Sequence, residues 1–282
     1  MRRLPPAQQA HCRVCLEGPA LRVFARKLPQ VAARPLEEAL AGARRLLAGS
    51  GWQSDLEVRA IAQARARGVP ATVFLDHWTN YRERFVRGGA TVLPDELWVG
   101  DAQALERARA ALPEVPARLV DNPYFLDLRE QLAARAAAVP PVPGTLLVLC
   151  EPVREPALRQ YGDERHWGYT EEEALAYLLD HLHLLGGPVR RIVLRPHPSE
   201  PADKYAAQAA HSPVPVERSS RADVLDDILA SERVAGCNSM ALAIALLADR
   251  EVTCCIPPGG PACAVPLPDI RDLRLLAGAA RA

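Results

Sequence analysis

Residues 191–200 read Arg191-Ile192-Val193-Leu194-Arg195-Pro196-His197-Pro198-Ser199-Glu200. A short apolar run rich in β-branched side chains is followed by two prolines that flank a histidine. β-Branched residues favour strands, and proline can neither donate to a sheet ladder nor continue a helix. The stretch therefore predicts a buried strand over residues 191–194, which ends abruptly in a stiff loop that carries His197.

The same alternation of short apolar runs with longer amphipathic segments continues along the whole chain. Strands are predicted at residues 21–25, 45–48, 71–75, 96–99, 117–120, 145–150, 191–194, 214–216, 233–235 and 252–256. Helices are predicted at residues 35–44, 53–67, 101–112, 126–138, 170–185, 201–210, 222–230 and 238–248. Strands that alternate with helices form parallel βαβ units, so we expect an α/β protein with Rossmann-like sheets.

The most linker-like stretch is Pro140-Pro141-Val142-Pro143-Gly144, which lies near the middle of the chain. A length of 282 residues suits two domains of roughly 140 residues each. We therefore expect two Rossmann-like domains, residues 1–140 and 141–282, facing each other across a cleft.

Composition excludes several classes of protein. With 49% hydrophobic and 24% charged residues, the chain can bury a sizeable core and does not resemble a disordered protein. The formal net charge is zero, which argues against a nucleic-acid partner. Residues 1–140 hold 20 Lys and Arg against 15 Asp and Glu, a net of +5, and residues 141–282 hold 14 against 19, a net of −5. The basic half would suit an acidic glycan or the neighbourhood of an anionic membrane.

Cysteine usage and hydropathy indicate a cytoplasmic protein, with peripheral association at the inner membrane face as its only membrane contact. Seven cysteines are an odd number, which fits a reducing compartment better than a set of disulfides. The longest apolar run, at 240–248, is far shorter than the roughly 20 residues that a membrane span needs. Cys12-x-x-Cys15 has a metal-like spacing but no second pair, so we expect neither a metal nor a resident cofactor.

Ligands of open α/β sheets bind beyond the carboxyl ends of the strands, so the residues after each strand carry the functional prediction. In the first half, Gly49-Ser50-Gly51-Trp52 follows a strand and precedes a helix whose N–H groups could face a ligand. Asp55 lies in the same segment. The alternative is an ordinary capping box between Ser54 and Glu57.

A second segment of the first half, residues 76–85, concentrates an acid, a histidine, three aromatic residues and two arginines after the strand at 71–75. Such a mixture is typical of a sugar or base pocket, with Asp76 or His77 as a general base and Trp78 and Tyr81 as contacts. The alternative is that the aromatic residues anchor the segment to the sheet.

Two loops of the second half suit a phosphate, and a third suits a ribose or base. Arg195 supplies a charged fork, His197 beside Pro198 a donor, and Ser199 opens the predicted next helix. Asn238 and Ser239 follow another strand and start an apolar helix, which they either cap or use to bind an anion. Glu151, after the first strand of this half, would accept a hydrogen bond from a ribose or base, or lie in a solvated loop.

The sequences of two of these loops resemble those of a known enzyme family. Arg-Pro-His-Pro-Ser after a strand, followed later by Gly-x-Asn-Ser opening an apolar helix, resembles the donor half of GT-B glycosyltransferases. More narrowly, it is similar to bacterial enzymes that use CMP-activated acidic sugars, such as sialyltransferases and Kdo transferases, and to the related glycerophosphate transferases. The resemblance covers residues 145–258. It implies that His197 with Pro198, and Ser239 with Asn238, contact the nucleotide phosphate.

In one respect, this sequence differs from the enzymes that it resembles. The sialyltransferases carry an Asp-Asp/Glu-Gly motif that supplies the catalytic base in the N-terminal domain, and this sequence has no such triplet. Asp76 or Asp55 would have to take its place. The implied acceptor side is residues 1–140, and the implied donor side is residues 141–282.

We therefore expect an inverting, metal-independent transfer of a sugar from a nucleotide donor, a CMP-sugar above others, to a glycan or lipid-linked acceptor in bacterial surface polysaccharide synthesis. The nucleotide sugar is a substrate and no further cofactor is implied. Two alternatives stay open: an epimerase or hydrolase of nucleotide sugars on the same fold, and a non-catalytic partner protein that binds a nucleotide sugar.

Overall fold

The structure is a computed structural model that describes residues 4–51, 54–201 and 203–280. The chain divides into two compact units, Met1–Pro123 and Tyr124–Ala282. In both units, helices connect the strands of a parallel sheet, so the predicted α/β class with parallel strands is confirmed. The predicted functions of the two halves, and their meeting across a cleft, stay predictions.

The N-terminal unit is built on a four-stranded parallel sheet in the order β1-β2-β5-β6. Its strands are β1 Leu46–Ala48, β2 Ala71–Leu75, β5 Glu96–Val99 and β6 Ala117–Leu119, with a small hairpin of β3 Val86–Arg87 and β4 Ala90–Thr91. Its helices are α1 Pro6–Gln9, α2 Pro19–Lys27, α3 Leu36–Leu40, α4 Leu56–Ala66 and α5 Ala102–Ala111, with a 3-10 turn at Glu83–Phe85.

Two predictions in this unit are corrected. The strand predicted at residues 21–25 is wrong, because this segment belongs to helix α2. Pro19 stands in the first turn of that helix, where its fixed φ and missing N–H favour helix initiation. The helix predicted at 35–44 ends early, at Leu40, shortly before Gly42, which has a φ of +66°.

The C-terminal unit is built on a six-stranded parallel sheet in the order β12-β11-β10-β7-β8-β9. Its strands are β7 Thr145–Leu149, β8 Arg191–Arg195, β9 Val216–Arg218, β10 Arg233–Gly236, β11 Glu251–Cys254 and β12 Ile270–Asp272. Its helices are α6 Pro123–Ala136, α7 Arg154–Tyr161, α8 Glu171–Asp180, α9 Ala206–Ala210, α10 Val224–Ala230, α11 Met240–Leu247 and α12 Leu273–Ala279.

This strand order is that of a Rossmann fold. The first strand of the unit, β7, lies between β8 and β10, so the direction in which strands are added reverses beside β7. Such a reversal opens a crevice at the carboxyl ends of the two strands on either side of it. In this sheet the crevice lies between the ends of β7 and β10.

Both faces of the larger sheet are covered, which explains its nearly uninterrupted apolar strands. Leu146 and Val148 of β7 face one core cluster together with helix α8. Leu147 and Leu149 face the other cluster, which includes Leu128 and Leu132 of α6. Helix α6 thus packs with the C-terminal unit although it precedes the proline-rich stretch at residues 140–144.

Three elements of the C-terminal unit, α7, β12 and α12, are absent from the sequence-based prediction. The helix predicted at 201–210 begins only at Ala206. Within the described residues, no helix has the length and apolar character to cross a bilayer.

Candidate functional site

Three strands of the C-terminal unit end level with one another. Gly236 of β10, Leu149 of β7 and Arg195 of β8 are paired in register across the sheet. The loops that follow carry Asn238, Glu151 and His197, each two residues beyond this row. All three therefore lie at the edge of the sheet where Rossmann folds bind their ligands.

His197 is exposed and held by its own loop. Its backbone N–H donates to Glu200 Oε2 at 2.7 Å, and the Glu200 N–H donates to the His197 carbonyl oxygen at 2.9 Å. The Ser199 N–H lies 3.3 Å from His197 Nδ1, and the Ser199 hydroxyl lies 2.7 Å from the same nitrogen. Because an amide N–H can only donate, Nδ1 is the acceptor and the neutral ring carries its proton on Nε2. The ring can therefore donate from Nε2 to a ligand.

The surroundings of Pro198 and Ser199 differ from the prediction in one respect. Both residues are exposed, but Ser199 does not open a helix, since α9 begins at Ala206. The turn is instead closed by Glu200. The Ser199 hydroxyl donates its one proton to His197 Nδ1, and no helix N-terminus stands behind it, so its predicted contact with a phosphate stays a prediction.

The guanidinium of Arg195 is engaged within the protein. It pairs with Asp227, whose side chain is only 3% exposed. It also donates to the carbonyl oxygens of Arg221 at 3.0 Å and Ala222 at 3.2 Å. Arg195 thus fixes the loop that follows β9, and its predicted contact with a phosphate stays a prediction.

Asn238 and Ser239 form the start of helix α11. The Ser239 hydroxyl accepts the Ala241 N–H at 3.2 Å, so the predicted capping role is confirmed. A hydroxyl that accepts in this way still has its own proton to donate to a ligand. The Asn238 side chain accepts the N–H of Ala264 at 2.8 Å through Oδ1, and thereby fixes a neighbouring loop.

Glu151 occupies the position in front of this helix. The Asn238 N–H donates to Glu151 Oε1 at 2.7 Å. Burial raises the pKa of Glu151, although the backbone N–H groups of Asn238, Ser239 and Cys237 act in the opposite direction. The Glu151 carboxylate thus occupies a position at a helix N-terminus, where anions commonly bind.

In the N-terminal unit, Ser50 and Asp76 follow neighbouring strands and meet at Arg84. The Ser50 hydroxyl donates to Asp76 Oδ1 at 2.8 Å. Arg84 is 8% exposed and donates to the same oxygen at 3.2 Å and to the Ser50 hydroxyl at 3.1 Å. The Asp76 side chain itself is 66% exposed. One carboxylate oxygen is therefore fixed while the group remains open to solvent.

The glycine-rich segment has a simpler structure. Gly51 lies against the Glu57 carboxylate, where a Cβ would be 2.7 Å from Glu57 Oε1, and nothing lies within 4 Å of a Cβ at Gly49. Asp55 precedes helix α4 without a side-chain capping bond and pairs with Arg59 at 3.5 Å. Trp52 lies outside the described residues.

The aromatic residues of the second segment belong to the core. Trp78 is 4% exposed and its Nε1–H donates to Asp101 Oδ2 at 2.9 Å. Tyr81 is also 4% exposed, and burial raises its pKa to about 12. Neither ring presents a face to an acceptor in this structure, because both are buried. His77 is half-buried and bonds Thr79 Oγ1 at 3.1 Å.

Several residues that hold these loops lack a local sequence signal: Asp101, Glu171, Lys204 and Tyr205. Lys204 alone could have been noticed, since only it and Lys27 are lysines in a chain with 32 arginines. Among the residues that the structure describes, no three His, Cys, Asp or Glu side chains are grouped so as to hold a metal ion. Cys12 is exposed, and its thiol donates to the Gln8 carbonyl oxygen at 3.4 Å.

Comparisons with known proteins add little. No family model and no curated protein matches this sequence. Among solved structures, the chain is similar to the protein described as Thermosulfurimonas dismutans KpsC, beta Kdo 2,7 transferase, with 17% identity over 94% of this chain and 88% of that one. The TM-score of that pair is 0.35, and a likeness at this level carries no argument about this chain.

Proposed function

We propose that the C-terminal unit binds a nucleotide sugar and that the protein transfers the sugar as a glycosyltransferase. One observation carries the proposal: the loops after β8 and β10, at the ligand-binding edge of a Rossmann sheet, present a histidine and a serine with protons to donate. The sequence resemblance of these two loops to GT-B enzymes supports the same class.

The donor phosphate would lie between His197 and Ser239. Strands β8 and β10 are separated by β7 alone, so their ends are about 10 Å apart, a span that a phosphate with its sugar or ribose can bridge. The His197 Nε2–H and the hydroxyl of Ser239 would donate to the phosphate oxygens. Donors of this kind stabilise the negative charge that develops on a leaving phosphate.

Glu151 would have to move for the phosphate to reach the N-terminus of α11. Its carboxylate already accepts the N–H of Asn238, and two anions at one helix end repel each other. A ribose hydroxyl or a base N–H could instead donate to the displaced carboxylate. This is one of the two alternatives that the sequence leaves open for Glu151.

The acceptor hydroxyl would be deprotonated by a carboxylate of the N-terminal unit. Asp76 is the better candidate, because Ser50 and Arg84 fix one of its oxygens while the side chain stays 66% exposed. Asp55 is the alternative, but its side chain is paired with Arg59 on the first turn of α4. An inverting transfer, a CMP-sugar donor and a glycan or lipid-linked acceptor rest on the sequence resemblance.

Nucleotide binding by the wild-type protein is the first test. Thermal unfolding is followed with CMP, CDP, UDP, GDP and dTDP, since a ligand at 100 times its Kd adds about 2.7 kcal/mol to the free energy of unfolding. We expect the largest rise in Tm with CMP. His197→Ala should weaken that binding about 10–100-fold, as expected for a lost hydrogen bond to a charged group. The control is His211→Ala, which removes an exposed imidazole that bonds its own helix.

Product analysis separates the alternatives. Sugar transfer that requires an added acceptor supports the proposal, whereas an epimer or free sugar formed without one indicates an epimerase or hydrolase. Binding without turnover against a panel of acceptors indicates a non-catalytic partner protein. A protein that binds none of the five nucleotides contradicts the proposal and both alternatives.

A further inference from the structure

We propose that Lys204 and Glu200 are positioning residues for His197, and that a buried ion cluster holds the loop after β8 in the geometry in which Nε2 carries the proton. The cluster consists of Lys204 and the three glutamates Glu155, Glu171 and Glu200, of which Glu155 lies at its exposed side. The catalytic meaning of the inference rests on the proposed function, but the positioning itself can be measured without it.

The ammonium of Lys204 is enclosed by carboxylates. Its side chain is 5% exposed, and it pairs with Glu171 and lies 3.1 Å from Glu200 Oε1. Nζ also lies 3.0 Å from Glu155 Oε1. The side chains of Glu171 and Glu200 are 3% and 2% exposed. Buried carboxylates need such partners, because desolvation of an unpaired charge is highly unfavourable.

Glu200 connects this ion cluster to the backbone of His197. Its Oε1 accepts the Tyr205 hydroxyl at 2.6 Å as well as Lys204. Its Oε2 accepts the backbone N–H of His197 at 2.7 Å. Because Lys204 and Tyr205 fix the other oxygen, the Glu200 carboxylate is held in an orientation that accepts this N–H. Lys204 and Tyr205 therefore help to position the backbone of His197.

The cluster also reaches the loop after β7. Glu171 Oε2 accepts the backbone N–H of Arg154 at 2.8 Å, and Glu155 belongs to the first turn of α7. One ammonium thus ties the loop that bears His197 to the segment that follows Glu151. The two loops on this side of the crevice are held by a single cation.

The identity of the cation matters for this geometry. An ammonium is compact and can donate in three directions, whereas a guanidinium is planar and donates in a fixed fork. Three carboxylates surround one nitrogen here, which suits lysine. Position 204 is one of only two at which the chain has lysine, whereas arginine occupies the other 32 of its 34 basic positions.

The test compares variants that separate positioning from folding. Lys204→Met removes the cation and leaves the cluster with a formal charge of −3 in place of −2. The double variant Lys204→Met/Glu171→Gln restores −2, and its glutamine keeps an oxygen that can accept the Arg154 N–H. Glu200→Gln keeps the cation but leaves one acceptor oxygen for three donors. Lys27→Met is the matched control, because it removes the other lysine of the chain, in the N-terminal unit.

The readout is the ¹⁵N spectrum of the His197 imidazole, assigned by comparison with His197→Gln, together with CMP affinity. In the wild type and in Lys27→Met we expect a single tautomer with the proton on Nε2. In the double variant and in Glu200→Gln we expect a mixture of the two imidazole tautomers. We also expect CMP to bind about 10–100-fold more weakly, because residues that orient a ligand-binding side chain have effects of this size when they are changed.

The inference is overturned if the folded double variant and folded Glu200→Gln both keep the wild-type imidazole spectrum. If the wild type binds no nucleotide and the spectrum still changes in these variants, positioning is supported and the proposed function fails. If CMP binds to the wild type and the spectrum does not change, the proposed nucleotide binding stands and the inference fails.

Discussion

The backbone N–H of Asn238 donates to Glu151 Oε1 at 2.7 Å, across the crevice between β10 and β7. The carboxylate comes from the loop after the first strand of the unit, and the amide belongs to the loop that leads into α11. Through this bond, the Glu151 carboxylate occupies the N-terminus of α11. Any anionic ligand at this helix end must therefore compete with Glu151.

The first prediction concerns the pH dependence that Glu151 gives to stability. Burial raises its pKa above the value in the unfolded chain. A carboxyl of this kind contributes stability that is fully present below its unfolded pKa and is lost as the pH rises through its folded pKa. Glu151→Gln does not ionise, so we expect it to match the wild type near pH 4 and to have the higher free energy of unfolding at pH 8.

Urea denaturation at pH 4, 6 and 8 measures this difference. Glu164→Gln, which alters an exposed glutamate in the same chemical way, controls for the loss of one negative charge. A wild type that is more stable than Glu151→Gln at pH 8 would mean that the N–H groups outweigh burial.

The second prediction concerns Arg195, which the sequence alone places on a phosphate. In the structure its guanidinium pairs with the buried Asp227 and with two backbone carbonyl oxygens. Arg195→Met would leave a buried carboxylate without its main partner, so we expect the free energy of unfolding to fall by about 3 kcal/mol.

Chemical denaturation with Arg159→Met as the control tests this. Arg159 is exposed on α7, and its substitution should change stability by no more than about 0.5 kcal/mol. If Arg195→Met has wild-type stability and only nucleotide binding is lost, Arg195 is a ligand residue and the structural role is wrong.

The third prediction concerns His77, next to the proposed base. Burial lowers the pKa of His77, the charge of Arg84 lowers it further, and Asp76 acts in the opposite direction. We therefore expect Arg84→Met to raise the pKa of His77 and Asp76→Asn to lower it. An NMR titration of the imidazole gives both values, and equal shifts in the same direction would contradict the arrangement of the three side chains.

The parts of the fold that the sequence predicts are those decided by local patterns. The strands at residues 71–75 and 96–99 have the predicted bounds, because each is a short, mostly apolar run between turn residues. The five-residue run at 21–25 fits a strand or a helix equally well, and its place beside Pro19 favours the helix. The short β12 and the helix α12 that follows it have no comparable signal.

The candidate site also has parts that the sequence predicts and parts that it does not. The loop of His197 could be predicted, because prolines restrict the backbone on both sides of it, and the cap at Ser239 follows from its place before an apolar helix. The partners of Arg195 and Glu151 could not, because Asp227 and Asn238 lie 32 and 87 residues away in the chain. The order of the strands decides which charged groups come into contact. A local sequence pattern does not contain that order.

The last prediction uses Gly236, the residue at which β10 ends beside Leu149. A Cβ at this position would lie 3.1 Å from the Leu149 carbonyl oxygen and 3.3 Å from both Leu149 Cβ and Leu242 Cδ2. Neither the strand nor the helix can easily move, because Leu149 is in register with Gly236 and Leu242 is buried in α11. Gly236→Ala should therefore push the start of α11 away from the sheet and lower the free energy of unfolding by about 1–3 kcal/mol.

The same substitution at Gly278 is the matched control. This glycine is exposed in helix α12, and nothing lies within 4 Å of a Cβ there, so alanine should be neutral or raise stability by up to about 1 kcal/mol. Because α11 carries Ser239, Gly236→Ala should also weaken CMP binding while Gly278→Ala leaves it unchanged. Equal stability of the two variants in urea would show that α11 packs less tightly on β10 than these distances require.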